Sequence, residues 1–252
     1  MKDLEHAYND DFFRYINKGS EFAANAIIPV IMQHFVVDSI LDVGCGDGTW
    51  LKVWQDNHIG DVYGIDGNNL TDKDLLIPRQ SLLSMNLCGS FNLKRSFSVA
   101  QCLEVAEHIP KKYSSTLIES ICKHSDIVIF SAAPPGQGGE NHVNEQCYDY
   151  WRNIFKKNNF EPYDIIRPRI SAKKSIPPWY RYNILIYIRK TSCYATSLKD
   201  YRQPYNEKIA DISSLSYKIR KKLVYFLPIE IATFIAKIKK RLTLILYFKG
   251  SI

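Results

Sequence analysis

The chain has 252 residues, enough for one complete α/β domain with an appendage but too few for two large domains. Its content of 46% hydrophobic and 13% aromatic residues is typical of a globular protein. The net charge of +7 comes from the tail: residues 199–252 hold 12 Lys and Arg against 4 Asp and Glu, which leaves 21 against 22 in residues 1–198. A nucleic-acid substrate requires a basic face near the site, so no nucleic-acid partner is expected for this nearly neutral body.

The cysteines and the apolar segments indicate a cytoplasmic protein. Without a C-x-x-C pair or a zinc spacing, the six cysteines are predicted to be reduced thiols: Cys45, Cys88, Cys102, Cys122, Cys147 and Cys193. The first residues, MKDLEHAYNDDFF, are too acidic and polar for a signal peptide. The nearest approach to a long apolar run, residues 223–236, contains Pro228 and Glu230 and is too short to span a bilayer.

Strand-like and helix-like segments alternate along residues 1–190. In chain order they are a helical cover over 1–38, a strand Ile40–Val43, a helix Trp50–Asn57, strands Asp61–Asp66, Leu82–Leu87 and Ser96–Leu103, a helix Tyr113–Lys123, a strand Asp126–Ser131, a loop Ala132–Asn144, a helix Glu145–Lys157, and strands Phe160–Arg167 and Tyr182–Ile188. This alternation predicts a doubly wound, mostly parallel sheet. We expect one domain over residues 1–190, a linker over 191–205 and a basic helical tail over 206–252.

A glycine turn follows the first predicted strand in the segment SILDVGCGDGTWL. Alternate glycines at 44, 46 and 48 let bare backbone approach a ligand, and no lysine follows at the spacing that binds a triphosphate. The turn is preceded by Asp42, and the second strand ends at Asp66, 24 residues beyond Asp42. That separation is typical of a ribose-binding carboxylate in a nucleotide-binding βαβ unit. A tight structural turn with no ligand is the alternative.

Two segments together resemble class I S-adenosylmethionine-dependent methyltransferases of the type 11/12/23 group: the glycine turn, and Phe97–Pro110 with its E-V-A-E-H sequence. The resemblance implies a seven-stranded Rossmann-like sheet with helices on both faces and S-adenosylmethionine as cofactor. It also implies that the cofactor is held by Asp42, Gly44, Gly46, Gly48, Trp50, Asp66, Asn86, Leu103 and Glu104. Asn86 stands where relatives often carry an aspartate toward the adenine, and Ser98 replaces an early acid.

The loop SAAPPGQGGENHVNEQCYDYW, residues 131–151, is similar to a subset of methyltransferases linked to lipopolysaccharide, exopolysaccharide and other glycans. The resemblance implies methyl transfer to a sugar hydroxyl, with a sugar or lipid-linked glycan as acceptor. Polar groups that suit a glycan are Gln137, Glu140, Asn141, His142, Asn144 and Glu145. The aromatic segment Ile176–Tyr180 is a further candidate for the acceptor pocket, with core packing as the alternative.

The catalytic prediction is His142 as general base, because a neutral imidazole can take a hydroxyl proton near physiological pH. Glu140 or Glu145 would orient it, and His108 is the second candidate base. Alternatively, His142 caps a helix or binds loop carbonyls. No residue is assigned as a metal ligand, although a divalent ion such as Mg²⁺ at Glu104, Glu107 and His108 is kept open. Acids at the start of a helix are the structural explanation of the same residues.

The tail alternates basic clusters with apolar runs on both sides of Pro228. Such segments lie on anionic membranes, so the protein is expected to be cytoplasmic and peripheral on the inner face of a membrane. A helical hairpin packed on the body or in a dimer is the alternative. For the whole chain, the competing functions are a small-molecule or quinone O-methyltransferase and a non-catalytic scaffold with a degenerate cofactor site.

Overall fold

The computed structural model describes residues 18–67 and 75–238. The predicted helical cover falls partly outside this range, and its described part is a helix over residues 18–32. The strands are β1 (Ser39–Val43), β2 (Asp61–Asp66), β3 (Leu82–Ser84), β4 (Val99–Leu103), β5 (Ile127–Ser131), β6 (Phe160–Tyr163) and β7 (Leu185–Arg189). The helices of the described residues are α1 (18–32), α2 (Thr49–Asp56), α3 (Ser114–Cys122), α4 (Tyr148–Lys157), α5 (Arg167–Ile170), α6 (Pro178–Asn183), α7 (Cys193–Ser197), α8 (Leu215–Tyr225) and α9 (229–238).

The seven strands form one sheet in the order β3-β2-β1-β4-β5-β7-β6. All neighbouring pairs are parallel except β5 with β7 and β6 with β7, which are antiparallel. Every residue of β4 and β5 is buried, as expected for central strands covered on both faces. The chain reverses its direction through the sheet between β3 and β4, so the carboxyl ends of β1 and β4 flank the switch point where such sheets bind ligands.

Several predicted boundaries shift. The third strand ends at Ser84 rather than Leu87. The predicted strand Phe160–Arg167 stops at Tyr163, and Arg167 begins the short helix α5 with a proline at its start. The predicted strand Tyr182–Ile188 begins at Leu185, because Pro178 starts the helix α6, which runs through Asn183.

Residues 191–205, predicted to be a linker, pack along the outer strand of the sheet. The Asp164 amide donates to the Tyr201 carbonyl at 2.9 Å, and the Gln203 amide donates to the Pro162 carbonyl at 2.8 Å. A β-bridge also joins Tyr163 to Arg202. These bonds satisfy backbone groups at the β6 edge, so the segment acts as its cover.

The described part of the tail, up to residue 238, contains α8 and α9. The Arg220 guanidinium donates to the Gln137 carbonyl at 2.9 Å, and the buried Lys221 ammonium pairs with Asp211 at 2.6 Å. Arg220 and Lys221, which belong to the basic tail that the sequence predicted to face a membrane, therefore bind the protein itself. Within the described residues, none of the helices combines the length and the apolar character needed to cross a bilayer.

Candidate active site

The glycine turn after β1 is left-handed at each of its three glycines. Gly44, Gly46 and Gly48 have φ values of 83°, 55° and 88°, a region that residues with a Cβ atom rarely adopt. A Cβ atom at Gly44 would overlap the Val105 side chain, and one at Gly48 would lie 2.8 Å from Ile77. At Gly46 a Cβ atom would meet nothing within 4 Å. The turn therefore presents bare backbone to open space at its centre.

Two acids lie at this turn, as the sequence predicted. Asp66, which is 7% exposed, accepts a hydrogen bond from the Gly46 amide at 2.8 Å. Asp42, which is 3% exposed, has a pKa raised to about 7 by burial, with Gln101 acting in the opposite direction and Asp66 adding to the rise. A glycine cradle with a carboxylate at the end of each of two neighbouring strands suits a nucleoside that carries an amino-acid end.

The remaining predicted cofactor residues lie at the same edge of the sheet or close to it. Trp50 is buried in α2 with its ring centroid 5.5 Å from that of Tyr180, and among the described residues its indole N–H is near the Tyr180 hydroxyl without a well-formed hydrogen bond. Leu103 is the last residue of β4 and is buried. Asn86 is exposed, and its side-chain oxygen accepts from the Cys88 amide at 2.9 Å. Asn86 therefore closes a local turn after β3.

Glu104, also predicted to contact the cofactor, is bound instead by groups that follow β5 and by α6. Its carboxylate accepts from the Gln137 side chain at 2.7 Å and from the Asn183 side chain at 3.2 Å. Burial raises its pKa, while hydrogen bonds from Gln137, Ser131 and Asn183 and the charge of His142 act in the opposite direction. Its φ of 56° is a strained value for a residue with a side chain. Such strain persists only where the surroundings enforce it, and it is common at functional sites.

Backbone hydrogen bonds join the segment after β4 to the loop after β5. The Glu107 carbonyl accepts from the amides of Val143 and Asn144 at 2.9 and 3.0 Å. This junction brings the ring of His142 to that of His108, with centroids 4.9 Å apart and planes at 87°. The two histidines that the sequence proposed as alternatives therefore belong to one group.

Glu145 is the residue that orients His142. The Nδ1 atom of His142 lies 2.9 Å from Oε1 of Glu145. The same carboxylate accepts from the amides of Gly136 and Gly138, both at 2.7 Å. Glu145 thus shapes the glycine-rich part of the loop and fixes the imidazole at the same time.

Glu107 is the most unusual acid of the site. It is fully buried, and neither carboxylate oxygen has a well-formed hydrogen bond within the described residues. Burial raises its pKa well above the ordinary value, and the neighbouring carboxylate of Glu104 raises it further. The sequence allowed these acids to be residues of a helix start, but a three-residue 3₁₀ turn, Ala106–His108, stands there instead. A helix dipole therefore does not explain them.

His108 completes this group at the surface. Its Nδ1 atom lies 3.3 Å from the Asn141 carbonyl oxygen. Burial and the neighbouring His142 lower its pKa, although the Asn141 carbonyl acts in the opposite direction. A lowered pKa keeps the ring neutral at physiological pH, with one nitrogen lone pair available.

The polar groups of the loop differ in accessibility. Gln137 and Asn144 are buried, at 5% and 2% exposure, and they bind other protein groups. Beside Asn141 and Val143 lies a groove of about 440 Å³, whose other wall belongs to α9 and consists of Ile229, Glu230, Thr233, Phe234 and Lys237. A second cavity, of about 320 Å³, lies between α8 and the start of α4. The first of these two is the one that adjoins His142 in sequence.

Sequence reasoning missed the contribution of α6. Asn183 bonds both Glu104 and Gln137, and it accepts from the Tyr148 hydroxyl at 3.1 Å. Tyr180, three residues earlier, is buried and bonds Ser20 across 3.1 Å, so packing explains it without an acceptor. The spacing Tyr180-x-x-Asn183 places both side chains on one helical face, which is the signal that was present in the sequence.

The fold is that of class I S-adenosylmethionine-dependent methyltransferases. A family model described as a methyltransferase domain matches residues 13–164, and the chain belongs to that family. No curated protein matches the sequence significantly. S-adenosylmethionine is the cofactor of this class, and the open glycine turn with Asp42 and Asp66 fits it.

Three solved structures illustrate the likeness in fold. DesVI from Streptomyces venezuelae has a TM-score of 0.53 and 16% identity, over 73% of this chain and 98% of that one. The sugar N-methyltransferase KedS8 from Streptoalloteichus sp ATCC 53650 has a TM-score of 0.54 and 14% identity, over 72% of this chain and 92% of that one. Magnesium protoporphyrin IX methyltransferase from Synechocystis PCC 6803 with bound SAH has a TM-score of 0.51 and 19% identity, over 68% of this chain and 83% of that one.

Proposed function

We propose that the protein transfers a methyl group from S-adenosylmethionine to a sugar hydroxyl during the assembly of a surface glycan. The observation that carries the proposal is the groove beside the His142 loop. Polar groups and an aromatic ring line this groove, and a glycan requires both. KedS8, which has the same fold, is a sugar N-methyltransferase, and this likeness supports a sugar acceptor.

The cofactor would be held by the residues around the glycine turn. Asp66 is proposed to bind the ribose hydroxyls and Asp42 to attract the amino group, and the backbone of Gly44–Gly48 would allow close approach; the bond of Asp66 to the Gly46 amide and the left-handed glycines support this. Trp50 and Leu103 supply the apolar surroundings, and Asn86 is proposed to contact the adenine. When bound, S-adenosylmethionine supplies a methyl group on a positively charged sulfur that is ready for in-line displacement.

The protein's own contribution to the chemistry is the removal of the hydroxyl proton. As the new carbon–oxygen bond forms and the carbon–sulfur bond breaks, the proton must leave the oxygen. His142 is the proposed acceptor in the metal-free protein, through Nε2, because Nδ1 is engaged by Glu145. His108, in edge-to-face contact with His142, is proposed to assist.

The groove favours a sugar over a quinone. Of its lining residues, Asn141, Glu230, Thr233 and Lys237 offer hydrogen bonds to hydroxyl groups, whereas a quinone pocket would be mainly apolar. Phe234, which is 63% exposed, provides a flat face on which a sugar ring can stack. Since α9 forms this wall, the tail is proposed to contribute to acceptor binding.

A membrane role for the tail is the second part of the proposal. α8 and α9, with the turn between them, expose large apolar side chains: Leu215, Ile219, Leu223, Tyr225, Phe226, Ile229, Ile231, Phe234, Ile235 and Ile238. Lys218, Lys222 and Lys237 are exposed with them. Apolar side chains among lysines suit the headgroup region of an anionic bilayer, where a lipid-linked glycan would be met.

The acceptor proposal is tested by measuring methyl transfer to a panel of nucleotide sugars, free sugars and lipid-linked oligosaccharides, with a quinol as comparison. The variant His142→Asn is expected to lose at least about 100-fold in turnover with a sugar acceptor, the magnitude typical of a missing general base. His58→Asn, at an exposed surface position, is the matched control and should keep wild-type turnover. Transfer to the quinol alone, or full turnover by His142→Asn, would contradict the proposal.

The membrane proposal is tested by sedimentation with vesicles of anionic or neutral lipids. Phe226→Asp is expected to weaken binding to anionic vesicles at least about fivefold, because it removes an exposed apolar side chain and adds a negative charge. Phe22→Asp, at an exposed phenylalanine on α1, should have no effect. Equal binding by all three proteins, or none by the wild type, would remove the membrane role.

A further inference from the structure

Three potential metal ligands lie side by side where the segments after β4 and β5 meet. The side chains of Glu107, His108 and His142 each offer one ligand atom, and these atoms all lie within 4.8 Å of one another. We propose that this group binds one divalent transition-metal ion. The proposal deepens the proposed function, on which it rests for its catalytic meaning, but ion binding itself can be measured without an acceptor.

The environment of Glu107 supports a bound ion independently of the distances between the three side chains. Its side chain is fully buried, and both carboxylate oxygens lack a well-formed hydrogen bond in the described part of the chain. No lysine or arginine forms an ion pair with it among the described residues. Buried carboxylates are normally hydrogen-bonded, paired with a cation or bound to a metal. The neighbours of this carboxylate are the carboxylate of Glu104 and the backbone amides of Ala133 and of Glu107 itself, and none of them is a cation. A bound ion would supply the missing positive charge.

Both histidines are held in the manner of metal ligands. A histidine that binds a metal through one ring nitrogen usually directs the other toward a carboxylate or a backbone carbonyl. Here His142 directs Nδ1 to Glu145 at 2.9 Å, and His108 directs Nδ1 to the Asn141 carbonyl at 3.3 Å. Each ring therefore keeps Nε2 for a ligand.

The set of donors selects the ion. Two imidazole nitrogens and one carboxylate oxygen are typical of catalytic zinc sites with an open fourth position, and they suit zinc, and cobalt as its substitute, better than magnesium. The Mg²⁺ considered from the sequence is therefore replaced by a transition metal. Ligand atoms at about 2.1 Å from a tetrahedral ion would lie about 3.4 Å apart. The ligand atoms, now within 4.8 Å of one another, would therefore have to move closer together. Rotation of the exposed His108 side chain can supply part of this movement.

An ion at this position would change how the acceptor is activated. The open coordination position would take the sugar hydroxyl and lower its pKa, so that the proton leaves to solvent before the oxygen attacks the methyl carbon. The carbon–sulfur bond then breaks as the carbon–oxygen bond forms, and His142 serves as a ligand rather than as a base. The groove that begins at Asn141 and Val143 would deliver the hydroxyl.

The test uses the full-length protein, freed of metal with EDTA and titrated with Co²⁺, whose visible absorption reports imidazole and carboxylate ligands. One ion per chain is expected. Because loss of a ligand weakens a site at least as much as loss of an outer partner, Glu107→Gln and His108→Asn are each expected to weaken binding at least about tenfold. His108 is exposed, so His108→Asn should fold even if Glu107→Gln does not. His58→Asn, the exposed control, should bind as the wild type does.

The outcomes separate this inference from the proposed function. Absence of Co²⁺ binding by the wild type, or unchanged binding by His108→Asn, overturns the metal site even if sugars are methylated. Site-specific Co²⁺ binding without methylation of any sugar supports the metal site and contradicts the sugar acceptor. If both hold, EDTA should slow methyl transfer at least about tenfold, to the rate that His142 alone supports as a base, while leaving the affinity for S-adenosylhomocysteine unchanged. Transfer at an undiminished rate in EDTA would contradict the role of the ion in activation.

Discussion

His142 shares the carboxylate of Glu145 with the backbone of a glycine-rich turn. Nδ1 of His142 lies 2.9 Å from Oε1 of Glu145, and the Gly138 amide donates to the same oxygen at 2.7 Å. One acid therefore holds both the shape of the loop and the direction of the imidazole. Disturbing it should affect folding and chemistry together.

Glu145→Gln should reveal this double role. A glutamine can accept with only one of its two terminal atoms, so one glycine amide, Gly136 or Gly138, loses its acceptor. We expect a loss of about 1–3 kcal/mol in unfolding free energy. We also expect at least a tenfold drop in turnover, since small displacements of catalytic groups are costly. Urea unfolding and methyl-transfer assays measure both. Glu119→Gln, on the exposed face of α3, is the control and should change neither.

Gly139 offers a way to move His142 with little effect on the fold. A Cβ atom there would overlap the imidazole of His142, which can rotate away. Gly139→Ala should therefore keep the thermal unfolding temperature within a few degrees and lower turnover at least about tenfold. Gly60→Ala, where a Cβ atom meets nothing within 4 Å, should preserve both. Full activity of Gly139→Ala would show that the position of His142 is unimportant.

Gly136 tests the packing of α8 on the loop. Its φ is 80°, and a Cβ atom would overlap the backbone carbonyl of Lys221, which cannot move without shifting the helix. We expect Gly136→Ala to destabilise the protein by about 2 kcal/mol or more, because a left-handed conformation and a backbone clash combine. Limited proteolysis should cut the tail of this variant faster than that of the wild type. An unchanged cleavage rate would show that α8 does not depend on this contact.

Asp42 should give the stability of the protein a particular pH dependence. In the folded protein its pKa is about 7, against an ordinary value of 3.8. Between these two values the folded protein keeps a proton that the unfolded chain has lost, so the unfolding free energy falls as the pH rises from about 4 to 7. The contribution of Asp42 is on the order of 2–4 kcal/mol.

The measurement is urea unfolding at several pH values across this window. Asp42→Asn removes the titrating group, so the variant should lose less stability than the wild type between pH 4 and 7. Parallel curves for the two proteins would show that Asp42 ionises in the folded protein as it does in the unfolded chain.

Local sequence patterns were sufficient to predict most of the strands of the sheet. The apolar run of β5, and the acids that close β1 and β2, predicted the strands and the ligand edge, because parallel strands bring their carboxyl ends together. The ends of β6 and β7 were wrong. There the short helices α5 and α6, each with a proline in its first two positions, take up Arg167 at the end of one predicted strand and Tyr182 and Asn183 at the start of the other.

The site could be predicted only in part, because distant segments complete it. Nothing local in the sequence shows that Asn183 bonds Glu104, 79 residues away, or that Arg220 bonds the Gln137 carbonyl. The left-handed conformation of Glu104 is likewise enforced by its surroundings, since glutamate is not among the residues that favour it. The sequence did identify His108 and His142, but it did not show that they touch.

The most direct test of the account is the binding of S-adenosylhomocysteine, measured by calorimetry on the wild type, Asp66→Ala and Asp61→Ala. Asp66 ends β2 at the glycine turn, whereas Asp61 begins the same strand at the surface and pairs with Arg95. We predict micromolar binding by the wild type and by Asp61→Ala, and binding weakened at least about tenfold by Asp66→Ala, since hydrogen bonds to a charged group contribute about 1.5–3 kcal/mol. No binding by the folded wild type, or equal binding by all three proteins, would contradict a cofactor site at this turn.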